Sequence, residues 1–452
     1  MLAQDLLEDY ADTHLTQIVR LLKDVDASAY LVGGAVRDWI LRKGARQFHA
    51  YCDLDFAVPG DGLRLAREMA DALGGAFYPL DAERGVGRVV LTGEDGETQT
   101  IDVARFQGSD LMADLAGRDF TVNAMAFDLR DPLSPIIDPH GGQDDLQVRR
   151  LHAVSNQALS NDPVRGLRAV RLAAELGFEI EAHTRALIRE AAQGLVDVSA
   201  ERVRDELVKI LSLPSTSDWL RRLDSLTLLA EVLPEVTALK GVAQTPPHRW
   251  DVYEHTLKTV AALETWLPLH GRPPHPDVPF PDQVANHLKT VVTGGHSRRL
   301  LLTLAALLHD VGKRDTATVE SDGRVRFIDH ERVGATMAAG VLRRLRFSGE
   351  EARLVETTVR HHLRPLQLAW QGRTSKRAIY RFFRDTGDAG VEVALLALAD
   401  RHASVGPAAA DDQFPALLET VEALLDAYFN RYQTVVAPAP LLTGRDLIDQ
   451  FG

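Results

Sequence analysis

A chain of 452 residues exceeds the size of a single hydrophobic core and calls for two or three domains. Its 45% hydrophobic and 25% charged residues exclude a disordered or collagen-like chain, and no apolar run reaches the roughly 18 residues that a membrane span needs. The formal charge of −13 excludes a protein that coats nucleic acid through bulk positive charge, and a single cysteine excludes an internal disulfide or a thiolate zinc cluster.

Residues 1–27 read as an amphipathic helix, with early acids and apolar positions at i, i+3 and i+4, and not as a signal peptide; a cytoplasmic protein with no membrane partner is expected. From 28 to 150 short β-branched runs alternate with helical patterns, which is the pattern of a mixed α/β domain. Within it Gly33 and Gly34 follow an apolar strand and open a helix, where backbone N–H groups and Arg37, with Asp38 beside it, favour a phosphate. In the next strand Asp53 and Asp55 share one face by the period of two. Two carboxylates aimed together repel unless a divalent cation lies between them, which is the geometry of a two-metal phosphoryl-transfer site. Cys52 reads as a packed strand residue. Asp102 adds a third acid, as a ligand or base, or else as a surface strand acid. Arg118, Asp119 and Asn123 precede an apolar strand, where buried polar groups need partners such as a nucleotide's ribose and phosphates.

From 151 to 240 the pattern turns helical, with Gly177 and Gly194 where helix ends are expected. Arg149, Arg150, Arg165, Arg168, Arg171, Arg202, Arg204 and Lys209 concentrate positive charge in this stretch. They form a strip for an RNA backbone or, alternatively, a solvated surface laced with i,i+4 ion pairs. Residues 245–432 are helical again except for 268–281, where six of fourteen residues are proline and a loop is required. The tail, 433–452, reads as a loop and one short helix. His255, the pair His309-Asp310, His330, the pair His361-His362, and Asp400 each sit in or beside an apolar helical pattern, so a bundle would point them inward. Histidine and carboxylate ligands without cysteine suit Mg2+, Mn2+, Fe2+, Ni2+ or Zn2+ in a hydrolytic site.

The ordered blocks LVGGAVRD, CDLDFAV, GRDFTVNAMAFD, IIDPHGGQDDL, NDPVRGLRAVRLAAELGF and VSAERVRDELVKIL cover roughly residues 28–212. They resemble the bacterial class II tRNA nucleotidyltransferases and the related poly(A) polymerases of the DNA polymerase β superfamily. The resemblance implies an α+β chain: a mixed α/β DNA polymerase β-like nucleotidyltransferase head over 28–150, an all-helical neck over 151–240, and a helical HD-type body over 245–432. It also implies that Asp53 and Asp55 hold Mg2+ and that Gly33, Gly34, Arg37 and Asp38 bind the triphosphate. Arg118, Asp119 and Asn123 would contact the ribose and phosphates, and Arg168 and Arg171 would face phosphates. The family's Glu-Asp-x-x-Arg motif, which pairs with the base edge, reads Asn161-Asp162-Pro163-Val164-Arg165 here; Asp162 and Arg165 are kept and one carboxylate is lost. Members that add a whole CCA carry a long flexible segment before the Arg-Asp block, whereas here eleven residues, Gln107 to Gly117, lie between Phe106 and Arg118. That shortness implies CC addition, in which the 3′-hydroxyl at the 3′ end of tRNA attacks the α-phosphate of CTP and pyrophosphate leaves. Full CCA addition using ATP as well, A addition, and poly(A) synthesis are the alternatives, in that order.

The second constellation, over about 245–405, resembles the HD-domain phosphohydrolases of the binuclear variety. His255, His309, Asp310 and Asp400 would be the minimal ligands, with His330 and one of His361 or His362 completing a second site, for Mg2+, Mn2+, Ni2+ or Fe2+. Phosphatase and 2′,3′-cyclic phosphodiesterase activity is implied, or else a body that grips tRNA around a vestigial site. Two further classes are a nucleotide hydrolase with the head as its binding module and a non-catalytic tRNA-binding protein; the intact acid pair weighs against the latter. The oligomeric state is left open.

Overall fold

The computed structural model describes residues 2–9, 14–24, 28–42, 53–93, 98–245, 248–267, 274–372, 374–405 and 413–438. Cys52 and the expected terminal helix from 439 onward lie outside them. The chain separates into two compact units, 1–194 and 195–452. Among the described residues no helix is long and apolar enough to cross a membrane.

The first unit runs α1 (Ala3–Asp9), α2 (His14–Asp24), β1 (Tyr30–Val32), α3 (Gly34–Arg42), β2 (Leu54–Val58), α4 (Gly62–Leu73), β3 (Ala76–Asp81), β4 (Val86–Thr92), β5 (Thr98–Arg105), α5 (Leu111–Ala116) and β6 (Ala126–Asp128). The strands form one sheet in the order β3-β4-β5-β2-β1-β6, with β2 parallel to β5 and the other pairs antiparallel. Alternation along the strands buries Leu54, Phe56, Val89, Ile101 and Val103. On that face α4 packs across β4 and β5 with Leu65, Ala66, Met69 and Ala70, each large side chain adding roughly 1.5–3 kcal/mol of burial. The opposite face carries Asp53, Asp55, Thr100, Asp102 and Arg88. Register sets Val32, Asp55, Asp102 and Arg88 in one row across four strands.

The short segment after β5 is folded. Asp110 caps α5 by accepting from the Ala113 N–H, and Leu111 and Leu115 enter a cluster with Val32, Ala57, Ala124 and Ala126. Buried Asp114 accepts from the Gln107 N–H at 2.9 Å and from Arg118 at 3.0 Å. Four helices follow, α6 (Gly142–Gln147), α7 (Ala158–Asn161), α8 (Arg165–Leu176) and α9 (Ala182–Ala191), with a short parallel ladder of Arg150–Leu151 and Glu179–Ile180 that interrupts the stretch expected to be all-helical. Three-residue spacing puts Arg165, Arg168 and Arg171 on one side of α8, while Leu167, Val170 and Ala173 are buried.

Among the described residues the second unit is helical apart from a small hairpin, Ala317–Val319 with Val325–Phe327. It contains α10 (Ala200–Leu211), α11 (Thr216–Ser225), α12 (Leu228–Val232), α13 (Pro234–Thr237), α14 (Val252–Trp266), α15 (Pro281–Lys289), α16 (Arg298–Leu308), α17 (Lys313–Thr316), α18 (His330–Arg344), α19 (Gly349–His361), α20 (Arg364–Trp370), α21 (Lys376–Thr386), α22 (Gly390–Val405) and α23 (Phe414–Asn430). Residues 274–280 of the proline-rich stretch are non-helical, and its last residue, Pro281, is the first of α15, where a missing N–H costs nothing. α16 is apolar nearly all round because α14, α19 and α22 enclose it.

Charged groups are buried in this bundle too, and one of them is held by a cation. Glu392 of α22 is fully buried and accepts from Arg298 Nη1 at 2.8 Å, with His287 Nε2 at 3.0 Å. Burial alone would raise its pKa; the hydrogen bond and charge of His287, then Arg298, bring it below the ordinary value. Arg298→Ala should strand this carboxylate at a cost of about 3–5 kcal/mol. The check is the thermal denaturation midpoint, expected to fall at neutral pH and to recover in acid, where the stranded group takes up a proton.

Candidate active sites

The first site is built on the turn between β1 and α3. Gly33 adopts φ +75°, and a Cβ there would lie 3.2 Å from Arg118 Nη1 and 3.2 Å from Asp55 Oδ2, so a side chain is strained and crowded. A cavity of about 500 Å³ opens beside this turn. It is lined by Asp53, Asp55 and Asp102 together with the guanidinium groups of Arg37, Arg168 and Arg171. Gly34, Asp38 and Asn123 also line it, whereas Gly33, Arg118, Asp119, Asp162 and Arg165 do not.

The three carboxylates are held differently. Asp53 accepts from Thr100 Oγ1 at 2.6 Å. Asp102 accepts both hydrogen bonds of a bidentate Arg88 pair at 2.7 Å. Asp55 is pushed up to about 6, first by burial and then by the charges of Asp102 and Asp53, against the pull of Arg118. A carboxylate placed where its own charge is disfavoured fits a divalent cation. The fit is looser than in the second unit, because Asp53 and Asp102 are turned to Thr100 and Arg88.

The arginines form a network with buried polar groups. Asp119 accepts from Arg168 Nε at 3.0 Å and from Asn123 Nδ2 at 3.1 Å, and Asn123 Oδ1 accepts from Arg37 Nη1 at 2.7 Å. Burial would raise Asp119, but Arg168 and hydrogen bonds from Asn123 and the Phe120 N–H hold it below the usual carboxylate range. Arg165 donates to the carbonyls of Arg118 at 3.0 Å, Ala158 at 3.1 Å and Gly117 at 2.8 Å, and its Nε is 3.7 Å from Asp162 Oδ2. Sequence reasoning missed Arg88 and Thr100, whose roles depend on cross-strand register.

In the second unit the helix ends converge. His309 Nδ1, His330 Nδ1 and His362 Nδ1 each lie 2.7–2.8 Å from a carbonyl three residues earlier, those of Ala306, Phe327 and Val359. Those carbonyls fix the Nδ1–H tautomer, so the Nε2 lone pairs face inward. His255 Nε2 lies 3.0 Å from Asp400 Oδ1, and His330 Nε2 lies 3.5 Å from Asp310 Oδ1. Neither nitrogen makes an aligned hydrogen bond. Ring nitrogens that face carboxylate oxygens without an aligned hydrogen bond in a buried centre fit a cation between them. Two groups gather their ligand atoms within 4.8 Å: His255, His309 and Asp400, and Asp310, His330 and His362. His361 belongs to neither group.

Burial opposes charge at His309, yet Asp310 and Asp400 raise its pKa; burial, then His309 and His330, push His362 down to about 3. Gly312 has no room for a Cβ, which would collide with the His330 carbonyl and the Gly334 N–H where α17 meets α18. A cavity of about 890 Å³ opens from these ligands. Lys313, His248 and Trp370 also line it and escaped the sequence reading. Lys313 Nζ is 2.7 Å from Asp310 Oδ2 and donates to Gln244 Oε1 at 2.8 Å. Its signal was the spacing in HDVGK, three residues after Asp310.

Comparison with known proteins agrees in all three regions. Residues 29–152 match the poly(A) polymerase head domain, 177–240 the probable RNA and SrmB-binding site of polymerase A, and 252–404 the HD domain. The A-adding tRNA nucleotidyltransferase of Deinococcus radiodurans is 36% identical over 430 residues, 94% of this chain and 87% of that protein. The CC-adding tRNA nucleotidyltransferase of Thermus thermophilus is 35% identical over 384 residues, covering 84% and 77%, and that of Synechocystis is 30% identical over 424 residues, covering 93% and 84%. A CCA-adding enzyme solved with ATP has the same fold, with a TM-score of 0.64 at 19% identity, covering 100% of this chain and 90% of that one.

Two measurements address these sites. Because the Asp55 pKa is raised in the fold, its ionisation costs stability as pH rises from 3.8 through about 6. Asp55→Asn should therefore raise the metal-free melting point at neutral pH but not in strong acid, and added Mg2+ should raise the wild-type melting point more than the variant's. In the second unit, elemental analysis after metal loading should show His362→Ala losing bound metal and His361→Ala keeping it.

Proposed function

The chain belongs to the bacterial tRNA nucleotidyltransferases, and within that family we propose that it is a CC-adding enzyme, transferring CMP from CTP to the 3′ end of tRNA in the cytoplasm. The observation that carries the subtype is the short segment after β5, folded as α5 and tied down by Leu111, Leu115 and Asp114. Arg165, proposed with Asp162 to read the base edge, is bonded to the carbonyls of Gly117 and Arg118 at the end of that segment. The base reader is thus tied to the part of the chain that would have to move for a switch from C to A. The Deinococcus relative, named as A-adding, favours A addition as the competing reading.

In the proposed reaction Asp53 and Asp55 would hold Mg2+, which when bound neutralises the triphosphate and lowers the pKa of the attacking hydroxyl. The turn made by Gly33, at φ +75°, and Gly34 would let the backbone approach the triphosphate, and Arg37, Arg168 and Arg171 would surround its charge. Asp38 steadies Arg37 through a hydrogen bond of 2.8 Å, and Arg88 holds Asp102 beside the acid pair. Catalysis then comes from positioning and charge neutralisation.

For the second unit we propose phosphatase and 2′,3′-cyclic phosphodiesterase activity with Mg2+, Mn2+, Ni2+ or Fe2+ held by the two ligand groups. Its support is the inward-facing Nε2 atoms, whose tautomers the backbone sets. Persistent failure to hydrolyse 2′,3′-cyclic nucleotides after metal loading would make the site vestigial.

The deciding assay supplies tRNA lacking its CCA end with CTP, ATP or both, and resolves the products at single-nucleotide resolution. Two added C residues and no A in every reaction are expected. A complete CCA end would show that the short segment permits the switch, addition of A to a CC end alone would make the chain an A-adding enzyme, and long A tracts would make it a poly(A) polymerase.

A further inference from the structure

We propose that the cavity over the candidate metal ligands of the second unit holds a nucleobase subsite, in which Trp370 stacks on the base of a nucleotide whose phosphate meets those ligands. The inference rests on the phosphohydrolase reading of this unit and deepens it, from a site for phosphate esters in general to one that selects nucleotides.

The cavity of about 890 Å³ has two kinds of lining. Asp310, His330, His362 and Asp400 are candidate ligands, and Lys313, Arg326 and Arg401 add positive charge for a phosphate. Phe327, Ile328, Leu363, Leu366 and Trp370 are apolar, and a phosphate alone has no use for them. Each apolar run starts beside a ligand: Phe327 and Ile328 precede His330 in the chain, and Leu363 follows His362. Leu366 and Trp370 come three and seven residues after Leu363, so α20 turns these side chains to one side. Helical rise carries Trp370 roughly 10 Å from Leu363, which leaves room for a ribose between phosphate and base.

Trp370 is 61% exposed and Ile328 67% exposed. Isolated exposed apolar side chains are ordinary, but two that line one cavity above a polar centre mark the place of a ligand. The indole is also oriented, because Trp370 Nε1 donates to Gln413 Oε1 at 3.2 Å. That bond lies in the plane of the ring and occupies neither face. A nucleotide fits both linings at once: it joins a charged phosphate to a flat π-surface, and stacking on an aromatic face accepts every base. A wholly apolar ligand would bury the charges beneath it without partners.

The tests use the full chain. Among the described residues Trp370 is the only tryptophan that lines this cavity, and no tryptophan lines the cavity of the first site. Adenosine 3′-monophosphate added to metal-free protein should therefore quench the tryptophan emission of the wild type, inorganic phosphate should not, and Trp370→Phe should lose the quench. After metal loading, Trp370→Ala should raise the KM for 2′,3′-cyclic AMP about tenfold with kcat kept, within the range of a lost base stack. Trp370→Phe, which keeps a flat ring, should recover most of that loss. Inhibition by inorganic phosphate, which has no base, should be the same in all three proteins.

A wild type that shows no quench, a quench that persists in Trp370→Phe, or an unchanged KM in Trp370→Ala would overturn the proposal. If Trp370→Ala fails to fold by thermal melt, the emission of the wild type against Trp370→Phe decides alone. The two readings fail separately. Quenching without hydrolysis of 2′,3′-cyclic AMP would end the phosphohydrolase reading and support the subsite, whereas hydrolysis without quenching would overturn the subsite and leave that reading standing.

Discussion

Parallel pairing of β2 with β5 puts Asp55 directly opposite Asp102, and the rest of the first site is arranged around that repulsion. The register cannot slip. A shift of one residue would turn Leu54, Phe56, Ile101 and Val103 away from α4 and expose them, so hydrophobic burial on one face dictates where the acids stand on the other. What remains is compensation. Thr100 takes Asp53, Arg88 takes Asp102, and Asp55 is left with a pKa pushed up to about 6. A cation bound there would relieve what remains of the repulsion.

The second unit reaches a comparable end by other means. Its candidate ligands come from α14, α18 and α22 and from the residues that follow α16 and α19, and no single element carries a complete set. Backbone carbonyls behind His309, His330 and His362 lock the rings so that their basic nitrogens face one another's neighbourhood. Such a centre is costly without a cation, and Lys313, inserted beside Asp310, supplies one positive charge from the protein itself. At His309 and His362 the carbonyls come from the last turns of α16 and α19, where carbonyls lack intrahelical partners, and at His330 the carbonyl is that of Phe327, in the hairpin strand before α18.

Between the acids and the base reader lies a stretch in which structure and expectation differ in kind. The spacing makes the eleven residues from Gln107 to Gly117 a short connection; within it Leu111–Ala116 forms a capped, packed helix. Its end is pinned by Arg165, and Arg165 belongs to the same helix as Arg168, which Asp119 holds. The residues proposed for base recognition and phosphate binding thus share one helix, α8, which Arg165 also bonds to the end of the short segment.

Much of this was legible in the sequence because it is periodic. The period of two sufficed to put Asp53 and Asp55 on one face, the three-residue spacing put Arg165, Arg168 and Arg171 on another, and the change from short β-branched runs to helical patterns separated sheet from bundle. Partners were not legible. Arg88 meets Asp102 only through the register of an antiparallel pair, and Asp119 finds Arg168 far along the chain. Adjacent His361 and His362 look alike in sequence but point about 100° apart around a helix axis. Which of them faces the ligands is set by how α19 packs against α16 and α18, a rotation that depends on contacts distant in the chain. Local periodicity determined which residues share a face; only tertiary packing decided what each face meets, because that depends on register and helix phase, which no local stretch encodes.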